Sequence, residues 1–124
     1  MPVVRAAEAD VHEMHNARFI SYARPGTGST ELCVWRLEVA PGTAGAPHRV
    51  LGEEVFVMLA GEIVLAIDEV PERLSAGDAA VVPGGARNGV YNPGESPAVL
   101  MVSVPVGFSG ELADGSRFTP PWVS

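Results

Sequence analysis

The chain has 124 residues, 47% apolar and 19% charged, enough for one buried core, too few for two, and too apolar for a disordered segment. Its net charge of -7, with eight arginines scattered among fifteen acids and no lysine, argues against a nucleic-acid partner and excludes lysine Schiff-base chemistry. The lone Cys33 permits no internal disulfide or multi-thiolate zinc site, no apolar run approaches the ~18 residues that span a bilayer, and Met1 to Met14 lacks a signal-peptide core, so the expected setting is cytoplasmic with no membrane partner.

In chain order, "AEADVHEMHNA" predicts a short turn or helix. It is expected to lie over a barrel mouth or to add to a neighbouring subunit's sheet. Its His12 and His15 would share one side of a helix but lie on opposite faces of a strand. Next come "FISYA" and "ELCVWRLEVA", strand-type runs, the second holding Cys33 as a small buried hydrophobe. The turn-rich "APGTAGAP" leads to His48, followed by "EVFVMLAG" and "EIVLAID". A hairpin turn around Glu69 to Pro71 follows, then "AAVVP", "GVYN" and "AVLMVSVPV". Strand runs recurring every ~8 to 12 residues predict an all-β sandwich or barrel. No linker interrupts them, so residues 1–124 form one domain, flanked by an N-terminal segment (1–20) and a tail (107–124). The tail's Phe118 and Trp122 predict that it docks, as a lid over the barrel mouth or against a partner subunit.

Two motifs stand out, at residues 42–61 and 77–92. From Gly42 the chain runs five residues to His48, then Arg49 and Val50, three more to Glu54 and six to Gly61. From Gly77 it runs five residues to Pro83, then Gly84 and Gly85, two more to Asn88 and three to Asn92. These spacings resemble the cupin superfamily motifs G-x5-H-x-H-x3-E-x6-G and G-x5-P-x-G-x2-H-x3-N. The resemblance implies a double-stranded β-helix, or jelly-roll barrel. In metal-binding cupins the ligand positions correspond to His48, Val50, Glu54 and Asn88, of which valine cannot coordinate and asparagine is a weak neutral donor. The expectation is therefore no cofactor. The alternative is a divalent transition metal ion on His48 and Glu54, rebuilt with His12 or His15.

Strand alternation completes the expected pocket. With Glu54 inward, Phe56 and Met58 follow it; His48 shares a face with Val50, and Asn88 with Val90. A His48–Glu54 pair would hold the imidazole's tautomer and raise its basicity, making a general base, while Asn88 donates to a developing oxyanion. Arg36 is either half of a surface ion pair with Glu38 or an anion clamp, and Ser103 either an inward hydroxyl or solvent-facing. This constellation suits isomerase, cyclase or lyase chemistry on a small carbonyl compound. The alternatives are a non-catalytic sensor or carrier and a metal-dependent oxygenase. The resemblance also implies a homodimer.

Overall fold

A computed structural model describes residues 3–124. Its strands are β1 (Asp10–Met14), β2 (Ala17–Ala23), β3 (Leu32–Val39), β4 (His48–Val50), β5 (Glu54–Ala60), β6 (Glu62–Ile67), β7 (Val70–Ser75), β8 (Ala79–Val82), β9 (Arg87–Tyr91), β10 (Ala98–Pro105), β11 (Gly110–Glu111) and β12 (Arg117–Phe118). They form two antiparallel six-stranded sheets, ordered β1-β2-β3-β10-β5-β8 and β12-β11-β4-β9-β6-β7. The all-β double-stranded β-helix expected from the motifs is the observed architecture. Among the described residues no helix is long and apolar enough to cross a membrane.

Period-two alternation builds the core. On β3 it buries Cys33, Trp35, Leu37 and Val39, and on β10 Ala98, Leu100, Val102 and Val104. Because β3 and β10 pair along their whole lengths, Leu37 lies beside Leu100 and Trp35 beside Val102. The second sheet answers with Val50, Ile63, Leu65 and Leu74. Removing one such side chain, Leu100→Ala for example, costs about 2–5 kcal/mol. Gly61 closes the β5–β6 turn at φ +73, and a Cβ there would stand 2.7 Å from the Pro97 carbonyl oxygen, so the first motif ends on glycine for two steric reasons.

Two expectations need correcting. Residues 10–23 are a hairpin on the edge of this chain's own first sheet. The turn runs through His15 and Asn16, both at positive φ, and only Ala6–Glu8 forms a short 3-10 turn ahead of it. The later hairpin turns at Asp68 and Glu69, also at positive φ, which leaves Pro71 inside the edge strand β7. Acidic and amide side chains tolerate the left-handed region better than branched ones do, and the chain uses that tolerance in both turns.

The tail folds back on its own chain. Strand β12 pairs with β11, and β11 with β4; a 3-10 turn at Pro121–Val123 then crosses to the inner face of β1, β2 and β3. Trp122 and Val123 join the buried core.

Candidate functional site

Glu54 opens β5 with its side chain turned inward, ahead of Phe56 and Met58 on the same face. It is 4% exposed. Across the barrel, Asn88 sits on β9 between Ile67 of β6 and His48 of β4, and its Nδ2 donates to Glu54 Oε1 at 3.2 Å. Burial pushes the Glu54 carboxyl up to about 7, against the smaller opposing effect of the Asn88 hydrogen bond. Asn88 is itself 1% exposed, and its Oδ1 is buried without a partner. An orphaned acceptor beside a titratable carboxyl sets this pair apart from the other buried polar side chains, Ser21 and Asn92, which are hydrogen-bonded to backbone.

His48 is half-buried, with Nδ1 3.2 Å from the Ala46 carbonyl. A carbonyl only accepts, so Nδ1 carries the proton and Nε2 is left as the acceptor of a neutral ring. Burial lowers the imidazole pKa, partly offset by the Ala46 hydrogen bond. Phe118 of β12 stands edge-on to the ring at 5.8 Å. Among the described residues His48 and Glu54 share neither a hydrogen bond nor an ion pair, which corrects the expected dyad and its raised basicity. The imidazole is turned to Ala46, and the amide of its cross-strand neighbour Asn88 takes the Glu54 oxygen.

The remaining expected site residues divide by face. Val50, Phe56 and Met58 are buried inward, and Val90 packs against the core beside Leu65. Arg36 and Ser103 lie on the outer face, because each alternates with buried neighbours: Trp35 and Leu37 in one case, Val102 and Val104 in the other. Arg36 Nε pairs with Glu38 Oε2 at 3.0 Å as a surface ion pair, so the anion clamp and the inward hydroxyl are both corrected.

Nor do the amino-terminal histidines rebuild a ligand set. His15 is exposed in the hairpin turn, and His12 faces Trp122, ring centroids 6.2 Å apart. Among the described residues no three histidine, cysteine, aspartate or glutamate side chains are placed to share a metal ion. Val50 supplies no donor and Asn88 offers only a weak neutral amide oxygen beside Glu54, so the residues present do not fit the transition ion of metal-binding cupins.

Two surface hollows, of about 400 and 310 Å³, are lined by residues such as Tyr22 and Ser29, and by Glu62 and Ser96; neither touches Glu54 or Asn88. Burial of both Glu54 and Asn88 shuts the polar pair in. The tail docks as its aromatics Phe118 and Trp122 predict, and the structure adds that Phe118 comes to rest on His48. The inward placement of Trp35 was not among the expectations, although the alternation of "LCVWRLEV" contains it.

A family model described as Cupin domain matches residues 35–104. The polyketide cyclase RemF from Streptomyces resistomycificus superposes with a TM-score of 0.76 at 18% identity, covering 85% of this chain and 79% of that one. TT1209 from Thermus thermophilus is 28% identical with a TM-score of 0.67, covering 85% and 98%. Endoribonuclease YbeY of Myxococcus xanthus (strain DK1622) is 30% identical over 95 residues, 77% of this chain. The chain spans 32% of the length of that curated relative.

Proposed function

The chain belongs to the cupin domain family, and from that premise we propose that it acts on a small carbonyl compound by proton transfer, as an isomerase, cyclase or lyase without a metal ion. The observation that carries this reading is the buried Glu54, held by Asn88 and titrating at about 7. Near neutrality such a carboxyl spends comparable time as acid and as base, which is where general acid–base catalysis is most effective. His48 joins it as a neutral ring whose Nε2 accepts. The roles differ from those expected of a His–Glu dyad: Glu54 in its acid form gives a proton to the substrate while the neutral His48 Nε2 takes one from it, so the substrate's protons balance. Asn88 has another amide N–H beyond the one given to Glu54, suited to the oxygen of an enol or enolate.

The polyketide cyclase among the structural relatives is in keeping with this chemistry and lends only its fold. RNA cleavage, the activity in the Myxococcus protein's name, gains no support from these residues. The net charge is -7, and Arg18, Arg24, Arg36 and Arg73 are each matched to carboxylates.

The deciding experiment compares wild type with Glu54→Gln across a panel of small ketones, aldehydes and hydroxy acids. Turnover is expected to vanish in the variant while binding stays within about tenfold. Binding without turnover in either protein would instead make this barrel a carrier or sensor.

A further inference from the structure

The ring of Trp122 fills a cage made by its own chain. It lies parallel to Phe19, ring centroids 3.7 Å apart at 10°, with Trp35 edge-on at 6.1 Å and 60° and His12 tilted at 6.2 Å and 54°. Phe19 and Trp35 face inward from the adjacent strands β2 and β3, and His12 is the cross-strand partner of Phe19 on β1. One stacked face and two flanking edges are the geometry in which a flat π system is held.

The hydrogen bonds that anchor this tail are made to its backbone, not to the Trp122 ring. Ser21 Oγ donates to the Trp122 carbonyl at 2.8 Å, and Arg24 Nη1 to the Ser124 carbonyl at 3.0 Å. The indole N–H groups of Trp122 and Trp35 are both buried without an acceptor. Buried indoles normally find one. The ring of Trp122 thus fits the cage in shape, while its own indole N–H and that of Trp35, which flanks it, both lack an acceptor.

We propose that Phe19, Trp35 and His12 form a binding subsite for a planar aromatic compound bearing an oxygen acceptor, a phenol or an aryl ketone, and that Trp122 is the stand-in such a ligand displaces. The oxygen accepts from the Trp35 indole while the ring stacks on Phe19. Because β12 carries Phe118 over His48 on the same tail, displacing Trp122 also loosens the cover of His48. The subsite is recognised by stacking and one hydrogen bond, so it stands whether or not Glu54 moves a proton.

The test uses the full chain and 2-naphthol. Only two tryptophans are present, so the nitrogen-labelled protein gives two indole N–H signals, assigned with Trp35→Phe and Trp122→Phe. Saturating 2-naphthol is expected to shift the Trp35 signal and open the Trp122 signal to solvent exchange. Trp122→Ala, with the competitor gone, is expected to bind 2-naphthol about fivefold tighter or more in calorimetric titration, since occlusion lowers apparent affinity by the fraction of time the subsite is filled. Ser21→Ala keeps the indole, loosens its anchor and shifts affinity the same way, which decides the matter if Trp122→Ala does not fold. Cyclohexanol, with the same hydroxyl and no aromatic ring, is expected not to bind. The proposal is overturned if neither variant binds more tightly than wild type, if cyclohexanol binds as well as 2-naphthol, or if the Trp122 signal stays protected in the complex.

Discussion

The carboxamide of Asn88 on one sheet donates to the carboxyl of Glu54 on the other, across 3.2 Å of protein interior. This contact joins the two motifs through their side chains. It also puts a carboxyl where ionisation is costly, and that cost has a measurable signature in stability.

Glu54 releases its proton at 4.5 when exposed and at about 7 in the folded barrel. The folded state therefore binds that proton more tightly, and the resulting stabilisation is complete below 4.5 and lost as pH rises through about 7. At about 1.4 kcal/mol for each tenfold change in proton affinity the loss is about 3 kcal/mol. Glu54→Gln is expected to lose none of it, so urea unfolding of the two proteins across this range should show the variant gaining on wild type as pH rises. A difference that stays flat with pH would contradict the placement of the carboxyl.

Phe118 rests on Gly110, its partner across the β11–β12 pair, where a Cβ would come within 2.7 Å of Phe118 Cε1. Gly110→Ala is expected to push the ring off His48 and let water reach the imidazole. The His48 pKa should then rise toward 6.5, its ordinary value, because burial is what lowers it. Proton NMR titration of the ring C–H signals reads this directly. Phe118→Ala should do the same without added bulk, and an unmoved titration in both variants would show that Phe118 does not shield the ring.

Restoring histidine at the two departed positions is expected to create a metal site. His48 and Asn88 are cross-strand partners, Val50 shares the inward face of His48, and Asn88 already reaches Glu54. Val50→His/Asn88→His should lose roughly 1–3 kcal/mol without metal, since Val50 is fully buried and histidine is larger. Added Ni²⁺ or Co²⁺ should raise its melting temperature, as any ligand specific to the folded state does. Wild type should show no such rise. Failure of the double variant to bind either ion would mean that the four positions do not converge.

Gly61 and Gly77 both adopt positive φ, but of the two only Gly61 is crowded: a Cβ there would meet Pro97 and Ala98, while one at Gly77 would find open space. Gly77→Ala is expected to cost about 1 kcal/mol, from backbone strain alone. Gly61→Ala should cost about 3 kcal/mol, because a collision is added to the strain. Equal losses in denaturant unfolding would deny the close approach.

The strands were legible because alternation is a property of neighbours in sequence. Glu54, Phe56 and Met58 face inward as their spacing requires, and Arg36 and Ser103 could have been placed by the same rule applied to Trp35 and Val102. The partner of Glu54 was not legible. Alternation fixes a face and leaves the side-chain torsions open, so His48 could turn to Ala46 and leave the carboxyl to Asn88. The amino-terminal hairpin is not legible in the sequence because His15 and Asn16 make a left-handed turn without glycine, the usual marker. Strands as short as β4, β11 and β12 carry too few residues to show a period at all.

Strand β10 lies between β3 and β5, so that Pro105 pairs with Leu32 and Val102 with both Trp35 and Phe56. The middle of the first sheet is thus completed by a segment from far downstream, and most tertiary contacts join residues remote in sequence. Chains wired this way pay for long loop closures before any reward arrives and reach their native state in roughly milliseconds to seconds. For this barrel, assembly should be paced by how fast β10 finds its slot between two strands already waiting for it.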